Sequence, residues 1–198
     1  SGAQVIDGSL QFDRGSLNYL RLAQTNPGNS RTWTSSFWVK QQPITTSSTQ
    51  FNIISAGNGS SNRFESGFNN SNQFFALIVS SSTTVFSVST DAVFRDIGWY
   101  HVVLVADTTN GTQADRFKIY INGNLQSLSG TLMPDSQETH VNGSVVHAIG
   151  NNSYHVDDNF SGLLSNVYLI DGQALGPEYF GFTDPLTNTW KPKKYSGT

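Results

Sequence analysis

The chain has 198 residues, enough for one domain with a substantial hydrophobic core, and no linker-like stretch divides it. Charged residues make up 13%, about half the usual share, and the net charge is -3, so the electrostatic footprint of a nucleic-acid binder is absent. Cysteine is absent too, which removes disulfides, thiolate metal sites and cysteine nucleophiles, and no apolar run reaches the roughly 18 residues of a membrane-spanning helix.

Helical periodicity is almost missing. Short apolar runs, many of them alternating, recur between clusters of Gly, Asn, Asp and Ser. Leu10–Phe12 and Tyr19–Leu22 open the series of predicted strands. In Trp33–Lys40, Trp33, Phe37 and Val39 alternate with Thr34, Ser36 and Trp38, which places one tryptophan on an otherwise polar face. Phe51–Ser55, Arg63–Phe68, Phe74–Val79 and Val85–Val88 follow. Trp99–Val105 is apolar on both faces, as a central strand is. In Arg116–Ile121, Phe117, Ile119 and Ile121 form an apolar face opposite Lys118 and Tyr120, and Asn122-Gly123 supplies the left-handed turn of a tight hairpin. Leu125–Ser127, Val145–Ile149 and Leu163–Ile170 complete the strands, and Pro177 is placed to open a helical turn before Phe180. The expected fold is all-β, a two-sheet antiparallel β-sandwich over residues 1–182. Residues 183–198 are expected to form a C-terminal extension leading into a further segment of a parent protein.

Several strand words occur in a telling order: SLQF at 9–12, YLRLA at 19–23, TWTSSFWVK at 32–40, DIGWYHVVLVAD at 96–107, KIYING at 118–123 and FSGLLSNVYLIDGQAL at 160–175. Together they resemble the concanavalin A-like lectin/glucanase domains of the laminin-G and pentraxin type, a jelly roll. The segment EYFGFTDPLTNTWKPKKYSGT at 178–198 resembles stretches that follow such sandwiches in bacteriophage tail-fibre and virion appendage proteins. The resemblance implies a virion-surface or extracellular module whose partners are a cell-surface glycan or glycoconjugate and other virion subunits.

The enzymatic relatives are glycoside hydrolases that carry carboxylates on alternate residues of one strand, so that acid and nucleophile flank the glycosidic bond. The glutamates here are Glu65, Glu138 and Glu178, and none lies within two residues of another acid along a predicted strand. No G-x-S-x-G elbow, P-loop or dinucleotide fingerprint occurs. The chain is therefore expected not to be an enzyme.

Binding residues are expected in the loop GNNSYHVDDNFSG at 150–162. Asn151, Asn152, Tyr154 and His155 offer amides and rings for sugar hydroxyls and ring faces. Trp38 and Tyr120 are further ligand candidates on a sheet face, the alternative for both being burial in a second small core. Asp157, Asp158 and Asn159 are candidate ligands for calcium, which takes carboxylate and amide oxygens; the alternative is a polar turn without metal. Three readings stand: a non-catalytic phage receptor-binding module that recognises carbohydrate, a structural virion decoration or oligomerisation domain, and, behind both, a glycosidase.

Overall fold

Alternating apolar residues fold into strands that pair antiparallel throughout. The computed structural model describes residues 8–16, 18–43, 50–154 and 159–197. Its strands are β1 (Leu10–Phe12), β2 (Leu20–Ala23), β3 (Thr32–Gln41), β4 (Gln50–Gly59), β5 (Asn62–Asn69), β6 (Phe74–Ser80), β7 (Thr83–Thr90), β8 (Tyr100–Asp107), β9 (Phe117–Ile121), β10 (Asn124–Leu125), β11 (Leu128–Thr131), β12 (Val146–Ile149), β13 (Gly162–Asp171), β14 (Gly181–Thr183) and β15 (Trp190–Pro192). A six-stranded sheet runs in the order β1-β13-β3-β8-β9-β10, a seven-stranded sheet in the order β11-β7-β6-β5-β4-β12-β2, and β14 pairs with β15 alone. The expected two-sheet sandwich is thus the observed architecture.

Trp33, Phe37, Phe64, Phe68, Phe74, Phe86, Phe117 and Phe160 meet between the sheets and are all but fully buried. Each contributes roughly 1.5–3 kcal/mol relative to an exposed ring, and edge-to-face pairs such as Trp33 with Phe64 at 5.4 Å and Phe68 with Phe74 at 5.2 Å fix their packing. The Trp33 indole N–H donates to Thr139 Oγ1 at 2.7 Å, so its one polar group is satisfied inside the core.

The Asn122-Gly123 hairpin forms as read. Both residues have positive φ, 49° and 80°, and Asn124 pairs with Ile121. The single strand expected at 125–127 is instead two. β10 stays with the six-stranded sheet, and after Gln126 and Ser127 the chain crosses so that β11 pairs with β7 of the other sheet. Local sequence carries no mark of that crossing, because both pieces present similar short runs.

β8 is apolar on both faces for a reason the strand alone does not reveal. Val102, Leu104 and Ala106 face the main core, while Val103 and Val105 face outward into a second cluster with Leu175 and Phe180. Phe180, Tyr195 and the β14–β15 hairpin fold over the outer face of the six-stranded sheet, with the Phe180 and Tyr195 rings stacked at 5.2 Å. On the outer face of the seven-stranded sheet, where Phe75, Leu77 and Val79 are also buried, the 150–154 loop is seated.

Candidate functional site

The registers of the seven-stranded sheet define its outer face. Ala148 of β12 lies opposite Ser55 of β4, Ser55 opposite Glu65 of β5, Glu65 opposite Leu77 of β6, and Leu77 opposite Ser87 of β7. One step along, Gly57, Arg63 and Val79 share a row; in the other direction Asn52, Gly67, Phe75 and Ser89 do. The face thus carries an apolar strip of Phe75, Leu77 and Val79 beside the charged pair Arg63 and Glu65. Period-2 alternation puts both charges outward while Phe64, Ser66 and Phe68 turn inward.

Glu65 is 2% exposed, yet its charge is compensated. Arg63 Nε lies 3.2 Å from Glu65 Oε2, and the Asn152 side-chain amide donates to Glu65 Oε1. The Arg63 guanidinium also donates to the Ser60 carbonyl. Over it lies the Tyr154 ring, 5.5 Å from guanidinium carbon to ring centroid, within cation–π range. The loop is pinned from below: Ser55 Oγ donates to the Asn151 carbonyl at 2.8 Å, the Asn152 N–H to Asn151 Oδ1 at 2.6 Å, and the Tyr154 N–H to Asn152 Oδ1 at 3.2 Å. Asn151 and Asn152 therefore build the loop, and Tyr154, half-buried, is the side chain presented at its surface.

The remaining expected site residues lie in three places. His155, Asp157 and Asp158 lie outside the described residues. Asn159 is buried, its backbone bridged to Asn52 and its carbonyl accepting from Arg14 Nε at 3.0 Å. Trp38 and Tyr120 are on the outer face of the other sheet, away from the loop. Trp38 is 6% exposed and stacks on His101 at 5.0 Å, with the Trp190 ring 6.0 Å from the imidazole and its N–H directed at Nδ1. Tyr120 packs against the Val103–Phe180 cluster. Trp38 is buried there and Tyr120 only partly buried, both beside the C-terminal hairpin.

Arg63 and Glu65 escaped the sequence reading as site residues. The available signal was their i, i+2 spacing, which puts both charges on one face of the strand while Phe64 and Phe68 take the other. Among the described residues, Glu65 is the one acid in the rows above, and Asp157 and Asp158 of the neighbouring loop lie outside the described residues. A second catalytic-looking pair is inert. Ser36 Oγ and His101 Nε2 are 2.9 Å apart, but Trp190 Nε1–H donates to His101 Nδ1 at 2.9 Å. Nδ1 is thereby the acceptor and Nε2 carries the proton, so this imidazole cannot take one from Ser36, and both residues are 1% exposed.

Hard oxygen donors are present near the loop. The Asn52 amide is fully buried with neither end hydrogen-bonded to protein, and the Ser153 hydroxyl is buried in the same condition. Such orphaned groups require a partner, and an amide oxygen suits calcium. Among the described residues no three His, Cys, Asp or Glu side chains converge.

The fold has wide company. The pentraxin of Limulus polyphemus, a heptameric SAP-like protein, is 19% identical, with 79% of this chain and 70% of that chain covered and a TM-score of 0.55. The CBM40 of the Ruminococcus gnavus IT-sialidase is 14% identical, with 82% and 95% covered and a TM-score of 0.55. A variant of NanB sialidase from Streptococcus pneumoniae is 11% identical, with a TM-score of 0.60; 89% of this chain is covered but only 29% of that one. No curated protein sequence matches the chain. The profile of the concanavalin A-like lectin/glucanases superfamily matches residues 14–178. With that profile spanning most of its length, the chain belongs to the concanavalin A-like lectin/glucanases superfamily.

Proposed function

We propose that this protein is a non-catalytic carbohydrate-binding module of a virion surface, and that it recognises cell-surface glycan at the 150–154 loop on the outer face of its seven-stranded sheet. One observation carries the reading: the Tyr154 ring is held over Arg63, which is anchored to the buried Glu65–Asn152 pair. A ring face, a cation and amide groups on a fixed mount are the chemistry that sugar rings and hydroxyls select. The solved CBM40 complexes with α2,6- and α2,3-sialyllactose support the ligand class by analogy of fold. The lack of carboxylates on alternate residues of any strand supports the non-catalytic part.

The test is glycan-array and calorimetric binding with both sialyllactoses and purified bacterial surface polysaccharides. Tyr154→Ala is expected to weaken binding by about tenfold or more, that is about 1.4 kcal/mol or more, with little change in melting temperature; Arg63→Ala is expected to weaken binding likewise and also to lower the melting temperature, because it strands the buried Glu65 carboxylate. No binding at millimolar glycan, or binding indifferent to both substitutions, sinks the reading. Calcium belongs to the same proposal, with Asp157, Asp158 and Asn159 as expected ligands and Asn52 as an added oxygen donor. Calcium is expected to raise the melting temperature and EDTA to reverse the rise; an unchanged melt removes the metal and leaves the glycan site standing. The structural alternative, a decoration or oligomerisation domain, is favoured by a different feature of the molecule.

A further inference from the structure

The flank of the sandwich between β2 and β13 is open. A cleft of about 360 Å3 enters there, walled by Leu20, Leu22, Val141, Ile149, Val167 and Leu169. β2 is the edge of the seven-stranded sheet, and Leu20 and Leu22 are 48% and 62% exposed. Edge strands are ordinarily guarded by charge, proline or a covering loop. β2 carries one charge, Arg21, and no proline.

A second exposed apolar feature stands at the tip of the β14–β15 turn. Leu186 is 93% exposed, more than any other large apolar side chain among the described residues. It is held out deliberately. Asp184 Oδ1 accepts from the Leu186 N–H at 2.9 Å and Oδ2 from the Thr187 hydroxyl at 3.0 Å, while the Asn188 N–H donates to the Asp184 carbonyl at 2.8 Å. The Asp184 N–H donates to the Thr189 carbonyl at 2.8 Å, closing the turn. Pro185 fixes one more backbone angle. A leucine on so stiff a mount loses little entropy when it docks.

We propose that Leu186 of one copy inserts into the β2–β13 cleft of a second copy, so that the module assembles head to tail. Polarity agrees, together with one pair of opposite charges. An apolar knob meets an apolar cleft, the Asp184 carboxylate stands at the base of the knob with Lys191 near it, and Arg21 stands at the rim of the cleft. Arg21 takes part in none of the ion pairs formed among the described residues. Knob and cleft are different surfaces of one chain, so the contact is heterologous and propagates to a ring or a filament. Each contact is small and therefore weak, gaining strength through repetition or through tethering in a larger particle. The assembly goes beyond the glycan reading and does not depend on it.

The experiment is sedimentation velocity of the full chain from roughly 10 µM to 1 mM, the range in which a small interface associates. Mass is expected to rise with concentration. Leu186→Asp and Leu22→Asp, or the milder Leu22→Ser, are each expected to give a monomer with an unchanged melting temperature. An equimolar mixture of the Leu186 and Leu22 variants is expected to associate again but to stop at dimers, because each partner keeps one competent surface. A wild type that stays monomeric, association that survives either substitution, or a mixture that stays monomeric overturns the proposal; survival of Leu186→Asp alone identifies symmetric pairing of β2 edges instead. Glycan binding measured on the same variants is expected to be unchanged, which separates failure of the assembly from failure of the glycan site.

Discussion

His101 concentrates the residue-scale physics. Burial, with Trp38 stacked on the ring and Trp190 at its Nδ1 edge, pushes its pKa down to about 3, from an ordinary value of 6.5. The unfolded chain therefore binds more protons than the folded one between those values. The contribution to stability is complete above pH 6.5, falls as pH drops by about 1.4 kcal/mol per unit, and levels off near pH 3. Burial lowers His140 and His147 as well, and both act in the same direction. Unfolding free energies from urea titrations at pH 7.5 and 5.5 are expected to differ by about 1.4 kcal/mol or more for these reasons; equal values contradict the buried neutral imidazole. Thr139 makes a parallel case. It accepts from the Trp33 indole and donates to the Ser30 carbonyl at 2.6 Å. Thr139→Val strands the indole N–H in the core and is expected to cost about 1–3 kcal/mol by chemical denaturation; a neutral outcome rules out that bond as a stabilising one.

At the scale of elements, the C-terminal hairpin closes one face of the sandwich. The described part of residues 183–198 folds back onto the six-stranded sheet. The Trp190 ring sits against Gly123, whose φ of 80° and missing Cβ both matter: a Cβ there would stand 2.6 Å from the ring. Trp190→Ala is expected to cost about 3 kcal/mol and to open Trp38 to acrylamide quenching. Unchanged quenching means that the hairpin does not cover Trp38 in solution. Sequence could not announce this cover, because the contact joins β3, β8 and a strand from the far end of the chain. The 150–154 loop was legible, since its Asn and Tyr residues are local. Its support from Arg63 and Glu65 was not, because it depends on which strands lie side by side.

Across the whole molecule, the two outer faces have different fates. The six-stranded sheet is covered by its own C-terminal hairpin and aromatic cluster, while the seven-stranded sheet carries the loop and its charged pair. The cleft opens at a third place, between sheet edges. Glycan recognition and head-to-tail assembly can therefore proceed together, and multivalent display is expected to lower the apparent Kd on a polysaccharide-coated surface relative to the free sugar. Surface binding that Leu186→Asp weakens while free-sugar affinity stays constant is the expected signature; equal loss in both contradicts separate surfaces.

The sequence by itself determined the all-β class, the inward aromatic faces, the Asn122-Gly123 hairpin and the lack of paired catalytic carboxylates. These are local or periodic properties, written in spacings of two and in turn chemistry. Only the tertiary structure decided that β10 and β11 belong to different sheets, that Trp38 is buried, and that Tyr154 shares a site with Arg63 and Glu65. Those facts depend on strand order and register, which bring together residues far apart in the chain, and no local pattern encodes them.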